Sequence, residues 1–129
     1  MTLQVSQAHL DARLAGSLAH LDAGTGRARI RIYEGVQPDL GGTATNLLVE
    51  ITLTKPAGVI ASGVLSLTQS GSALIMRTGV ATWARVINGN GEIAFDCDVT
   101  DDTGTGILKL SSTQLYAGGN VPLQSAVIG

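Results

Sequence analysis

The chain has 129 residues, which suits one domain with its own core. Only 14% of the residues are charged, against about 25% in ordinary soluble domains, and the net charge is −2. This balance argues against a general nucleic-acid binder, which carries a basic surface. The single cysteine excludes an internal disulfide, and no apolar run is long enough to span a bilayer. Since no secretory leader is visible, we expect the cytoplasm or an assembly built there.

Small residues replace the missing charge. Glycine occupies 17 positions and aromatic residues make up only 3% of the chain, yet the mean hydropathy is positive, at +0.29. A weakly charged surface made of small residues is poor at keeping separate copies apart. The composition therefore favours a subunit that lies against other subunits. The alternative is a glycine-rich β domain whose surface is merely bland.

The first element in chain order is a helix, predicted over residues 6–21. Ser6 suits the N-cap position, and Gly24 suits a cap at the other end. An apolar stripe runs along one side at helical spacing. Its members are Leu10, Leu14, Leu18 and Leu21. An amphipathic helix of this kind needs a partner surface, either in this chain or in a neighbour.

After this helix the apolar pattern changes to a period of two, which is typical of β-strands. The predicted strands are 27–33, 46–54, 64–67, 73–76, 79–87, 92–99, 107–110 and 121–128. Turn-rich segments separate them, and helices do not alternate with strands as they do in parallel folds. We expect an all-β fold, an antiparallel, jelly-roll-like β-sandwich of about eight strands with one short N-terminal helix. Residues 1–129 are predicted to be a single domain, with the sandwich over 27–129.

Two acids on strand 92–99 are the first candidate site. Asp96 and Asp98 share one face, about 6.8 Å apart along the strand, while Phe95 and Cys97 point to the core. Carboxylates at this spacing occur in hydrolases and in Ca²⁺ sites, but catalysis also needs a cleft and a perturbed pKa. We favour a solvent-facing or salt-bridged strand face, with a loose cation site as the alternative. Cys97 is interpreted as core packing and not as a nucleophile.

Three arginines on strand 27–33 form a basic ridge, made of Arg27, Arg29 and Arg31. A cross-strand ladder with acids, within or between subunits, is the favoured interpretation. The acids considered as partners are Glu92, Asp96 and Asp98. Contact with the phosphates of packaged nucleic acid is the lesser alternative. The only tryptophan, Trp83, is interpreted either as an interface anchor or as core packing.

Other chemical motifs are absent from the sequence. His9 and His20 lie about 16 Å apart on the predicted helix, too far to share a metal ion. There is no paired-histidine zinc motif, no paired-cysteine motif, no phosphate loop and no nucleophile elbow. We therefore predict a non-enzymatic protein with no catalytic, cofactor-binding or metal-binding residues and no small-molecule substrate.

Four stretches resemble, in the same order, a family of small virion structural proteins of tailed bacteriophages. They are LDAGTGRARIRIYEG, TNLLVEITLTKPAG, GVATWARVINGNGEIAFDCDV and ILKLSSTQLYAGGNVPLQSAVI. The positions that match the family pattern are Trp83, Ala84, Arg85, Gly91, Phe95, Asp96, Val99, Gly118, Gly119 and Val121. Asn88 stands where the family often has Asp, and the last strand lacks the usual Thr.

The resemblance implies a capsid cement or decoration protein on the outside of the head, assembled in the host cytoplasm. Its implied partners are the major capsid protein and further copies of the chain, as a dimer or trimer, with no membrane. The residues we expect at the interfaces are Arg27, Arg29, Arg31, Asp96, Asp98, Leu10, Leu14 and Leu18. The nearer alternative is a tail or neck component of the virion. An alternative of a different class is a small glycan- or cation-binding β-sandwich.

Overall fold

The computed structural model describes residues 3–128. Over this range the protein is mostly β, with one N-terminal helix, α1 (Gln7–Leu21), followed by strands β1 to β9. The strands are β1 (Arg29–Tyr33), β2 (Leu47–Ala61), β3 (Val64–Gln69), β4 (Gly79–Val80), β5 (Trp83–Ile87), β6 (Ile93–Asp101), β7 (Leu108–Leu110), β8 (Gln114–Leu115) and β9 (Leu123–Ile128).

Seven strands close into a mixed barrel in the order β1-β2-β3-β9-β7-β6-β5, and β4 and β8 form a separate two-stranded sheet. The predicted antiparallel sandwich is therefore wrong in two respects. The sheet closes, because β1 pairs with both β2 and β5 and β7 pairs with both β6 and β9. In addition, β6 and β7 run parallel. Alternation in the sequence cannot separate the two architectures, since sandwich and barrel strands both bury one face.

Apolar side chains fill the interior of the barrel. On β1, Ile30 is in register with Ile51 of β2, and Ile32 is in register with Val49, and all four are fully buried. Burying an aliphatic side chain of this size contributes about 1.5–3 kcal/mol relative to leaving it exposed. The interior is therefore a packed core, as is usual for small barrels.

The helix covers one end of the barrel, as the sequence pattern requires of an amphipathic element. It begins where predicted, because the Ser6 hydroxyl accepts a hydrogen bond from the His9 N–H at 3.2 Å. Leu14 and Leu21 join the core cluster, so the leucine stripe docks within the same chain. Two acids also tie the helix to the barrel. Asp22 Oδ1 accepts the backbone N–H of Ala57 on β2, and Asp11 Oδ1 accepts that of Gly63 in the following turn, both at 2.9 Å.

The other end of the barrel is closed by irregular backbone. Ala73 and Ile75 are buried there, although residues 73–76 form only an isolated bridge and not the predicted strand. Hydrogen bonds between backbone groups hold the segment, including Ile75 N to Gly119 O at 2.8 Å and Met76 N to Leu48 O at 2.8 Å. The small β4–β8 sheet lies beside it, and β8 was not predicted because two residues are too few to show a period.

Two further predictions of strand boundaries are wrong. The predicted strand 79–87 is divided between β4 and β5. By contrast, β2 continues through the Lys-Pro-Ala-Gly sequence, with a register shift before Gly58. The glycine lets β3 approach closely, since a Cβ there would stand 2.2 Å from the carbonyl oxygen of Ser66. Glycine and proline therefore mark a bulge here and not the end of a strand.

Candidate functional site

A row of four charged side chains crosses the outside of the barrel. Glu50, Arg31, Arg85 and Asp96 are successive register partners on β2, β1, β5 and β6. The Arg31 Nε donates to Glu50 Oε1 at 3.2 Å, and the Arg85 Nε donates to Asp96 Oδ1 at 2.8 Å. The two arginines are direct neighbours, and each has a carboxylate on its outer side. The two opposite-charge pairs stabilise this sheet face and offset the repulsion between the neighbouring arginines.

The Arg85–Asp96 pair in this row is buried. The side chains are 9% and 3% exposed, and a second bond runs from Arg85 Nη2 to Asp96 Oδ2 at 3.0 Å. The hydrogen bond from Arg85 to Asp96 raises the pKa of the guanidinium above its ordinary value. Asp96 was predicted to face solvent or to form a salt bridge. The salt bridge is confirmed. The pair is buried because the loop 34–46 covers it, and Arg85 Nη2 also donates to the carbonyl of Gly42 in that loop.

Two aromatic rings lie beside the charged row. Tyr33 of β1 stacks on Trp83 of β5, with ring centroids 4.6 Å apart and planes 19° apart. The guanidinium carbon of Arg85 lies 5.3 Å from the Trp83 ring, within cation–π range. Trp83 is only 2% exposed, on the outer side of the barrel wall. It therefore packs within the chain and forms a second layer outside the barrel.

The arginine ridge pairs with Glu50 and not with the acids of β6. Arg29 Nη1 lies 3.1 Å from the same Glu50 oxygen that Arg31 contacts, and Arg27 Nη1 donates to Ser70 Oγ at 2.8 Å. The reason is topological, since β1 is flanked by β2 and β5. Half-exposed pairs of this type contribute at most about 1 kcal/mol. Because two cations share one carboxylate, the ridge keeps an excess of positive charge.

The remaining acids support the tight connection from β6 to parallel β7. Asp98 is exposed, and its Oδ1 accepts the backbone N–H of Ile107 at 3.1 Å. Asp101 Oδ1 accepts from the Thr103 hydroxyl at 2.7 Å and from the Thr103 N–H at 3.1 Å. The Thr103 hydroxyl is the main cause that lowers the pKa of Asp101. These carboxylates therefore serve as acceptors for backbone groups that a crossover leaves unpaired.

Glycines complete this connection. A Cβ at Gly104 or Gly106 would approach the Thr100 side chain to 2.6 or 2.9 Å. The backbone can therefore pass close to Thr100 only because these two residues have no side chain. The acidic, glycine-rich segment 100–106 is thus explained by backbone geometry. Among residues 3–128, no group of three or more His, Cys, Asp or Glu side chains is placed to hold a metal ion.

Asn88, which the sequence analysis noted only as a departure from the family pattern, is a buried polar centre. Its Oδ1 accepts the backbone N–H groups of Asn90 and Glu92 at 3.0 and 2.9 Å. Its Nδ2 donates to Glu92 Oε1 at 3.0 Å and lies 3.3 Å from His20 Nε2 on α1. The side chain is 0% exposed and links the β5–β6 hairpin to the helix. Residue type alone does not reveal whether the side chain of an asparagine is buried or exposed in a turn.

Cys97 is buried beside the core, as predicted. Burial raises the pKa of its thiol from 9.0 to about 12. Since the thiolate is the reactive form, the thiol is held in its unreactive state at neutral pH.

The residues predicted for interfaces do not lie on one surface. The arginine ridge is on the β1 wall, Asp96 is covered, and Asp98 is exposed beside the crossover. Leu14 is buried, whereas Leu10 and Leu18 are half-buried. Large exposed apolar side chains lie elsewhere, and the sequence reasoning missed them because exposure in loops has no periodic signal. They include Val36, Leu40, Leu74, Met76 and Tyr116.

No protein-family model, no curated protein and no solved structure matches this chain. Within residues 3–128, the single helix falls short of the length and apolar character needed to cross a bilayer. Function must therefore be inferred from the surface of the chain and from the sequence resemblance.

Proposed function

We propose that the chain is a capsid cement or decoration protein of a tailed phage, which binds the outer surface of the assembled head. The observation that carries the proposal is a weakly charged surface with large apolar side chains held out to solvent. Val36 is 93% exposed, Leu40 is 70% exposed and Tyr116 is 65% exposed, on a chain with 14% charged residues. Such a surface suits a subunit that neighbours cover. The resemblance to phage virion proteins supports the same reading.

In the proposed mechanism, binding of the chain is thermodynamically linked to assembly of the shell. A protein that binds the assembled shell, but not its free subunits, stabilises the shell by mass action. Apolar contacts repeated over many copies supply the binding energy. The excess positive charge of the ridge Arg27, Arg29 and Arg31 orients the subunit on an acidic patch of the major capsid protein. Asp96 has no part in this contact, because its carboxylate is already held by Arg85.

The chemistry of the described residues supports a binding role over a catalytic one. The acids that drew attention in the sequence are engaged by Arg85 or by backbone N–H groups. The thiol of Cys97 is buried and protonated at neutral pH. The barrel interior, where small barrels with a cavity hold ligands, is filled by side chains.

The deciding experiment is quantitative mass spectrometry of purified virions. A subunit repeated over the shell is expected at on the order of hundreds of copies, and a neck or tail ring at about a dozen or fewer. Copy number therefore separates cement from the alternative of a tail or neck component. Absence from the particle would contradict both.

A binding assay tests the role of the ridge. Heads lacking the chain are mixed with purified protein and sedimented. We expect saturable binding, weakened by Arg29→Glu and restored in part at low salt, since rim charges are screened. Arg77→Glu is the matched control, because Arg77 is an exposed arginine away from the ridge, bound to Asn46.

The alternative from a different class, a glycan- or cation-binding module, is tested by thermal unfolding. Ligands that bind only the native state raise the melting temperature. Stabilisation by Ca²⁺ or by a glycan series, without binding to heads, would favour this alternative.

A further inference from the structure

The loop 34–46 holds two apolar side chains away from the barrel. Val36 and Leu40 are the exposed pair, and the loop leaves β1 at the end opposite α1. Two backbone carbonyls of the loop are held in place. Gly35 O accepts from Thr82 Oγ1 at 2.5 Å, and Gly42 O accepts from Arg85 Nη2 at 3.0 Å. The base of the loop is therefore fixed, and its apolar tip is presented to solvent by a defined backbone.

The opposite end of the molecule carries an apolar groove. It lies between α1 and the ends of β6 and β9, and it consists of two adjoining depressions of about 230 and 350 Å³ that share Ser17 and Ile128. Its apolar lining comprises Leu10, Leu14, Leu21, Ala94, Phe95 and Ile128. A cavity of roughly 150 Å³ lined by such residues holds a benzene molecule, so each depression has room for a valine or leucine side chain.

The charges at the two ends are complementary. Arg13 lines the groove, and its side chain is exposed and makes no ion pair or hydrogen bond with any part of residues 3–128. Asp39 stands between the two apolar residues of the loop, and its carboxylate likewise has no cationic partner among the described residues. The loop carries two apolar side chains and one acidic residue, and the groove offers two apolar depressions and one basic residue. The two surfaces are therefore complementary.

We propose that the tip of loop 34–46 docks into the α1 groove of a second copy of this chain. Val36 and Leu40 fill the two depressions, and Asp39 pairs with Arg13. Because the loop and the groove lie at opposite ends, the contact is head-to-tail, and repeated copies form a closed ring or an open row. This specifies the self-contact that the proposed function leaves open, and it does not require a capsid.

The test uses the full chain in solution, with association measured by sedimentation velocity and light scattering over a concentration series. We expect the wild type to associate, and Leu40→Asp to weaken association about 100-fold, as for a central apolar anchor. Leu74→Asp is the matched control, because Leu74 is 60% exposed but belongs neither to the loop nor to the lining of the groove. Circular dichroism and unfolding curves confirm that both variants keep the fold.

A charge exchange tests the pairing itself. Arg13→Asp and Asp39→Arg are each expected to weaken association about fivefold, as for an exposed ion pair. The double variant, which reverses the pair, is expected to recover most of the wild-type affinity. Failure of the double variant to recover would overturn the pairing of these two residues.

A wild type that stays monomeric at all soluble concentrations would overturn the proposal, as would a Leu40→Asp variant that associates normally. These outcomes are separate from those for the capsid. Copies that associate through loop and groove but are missing from virions would contradict the cement function alone, and monomers that bind heads would contradict this contact alone.

Discussion

The two halves of the barrel wall are built differently. On one half, every residue of β5 is buried, because Ala84 and Val86 face the core while Trp83 and Arg85 are covered from outside. On the other half, β3 alternates, with its outward residues exposed. The barrel core is therefore complete without an outer layer. The second layer instead holds loop 34–46 through the bond from Arg85 to the Gly42 carbonyl, so the covered half positions the loop that we propose as a binding surface.

The largest effect is expected at the buried ion pair of the covered half. Asp96→Ala would leave the Arg85 charge buried and unpaired, which costs about 3–5 kcal/mol of unfolding free energy. Denaturant unfolding at neutral pH measures it. A double change to apolar residues, Arg85→Met with Asp96→Leu, is expected to recover most of this loss. If Asp96→Ala were nearly neutral, the covered half would be no more constrained than the bare half.

The next effect is expected at Asn88, where the covered half meets the helix. Asn88→Ala would remove a fully buried amide and leave two part-buried backbone N–H groups without their acceptor, which costs about 1–3 kcal/mol. Asn90→Ala is the matched control, because the Asn90 side chain is exposed. Equal stability of the two variants would contradict the role assigned to Asn88.

Cys97 gives a pH-dependent prediction. Its thiol pKa is raised from 9.0 to about 12, so above pH 9 the unfolded chain loses a proton that the folded chain keeps. The stabilisation is therefore complete below pH 9 and falls as the pH rises towards 12. Unfolding curves from pH 8 to 11 are expected to show a steeper loss for the wild type than for Cys97→Ala. Parallel losses would show that the thiol titrates normally in the folded state.

The smallest effect is expected on the bare half. Ser66→Ala and Thr68→Ala, on the outward side of β3, are each expected to change stability by no more than about 0.5 kcal/mol. The same denaturant assay measures both. A loss comparable to that of Asn88→Ala would show that this wall is also structurally constrained.

Local structure was predictable where a periodic signal or a cap was present. Ser6 and the leucine stripe placed the helix, and the period-two pattern placed β1 and β6 to within a few residues. Closure of the barrel was not predictable, because pairing between distant strands leaves no local signal. The burial of Asp96 was missed for the same reason, since its cover comes from a loop about fifty residues earlier in the chain.

The single parallel neighbour in the ring, β6 with β7, follows from arithmetic. Directions that strictly alternate around a closed circuit must come out even, so a circuit of seven needs at least one mismatch. The protein confines that mismatch to three residue pairs, because one of the two parallel strands is β7, the shortest strand of the barrel. Gain or loss of one strand would restore full alternation, whereas gain or loss of a hairpin would keep the odd count. A barrel enlarged from this one by a hairpin would therefore still need at least one parallel pair of neighbouring strands.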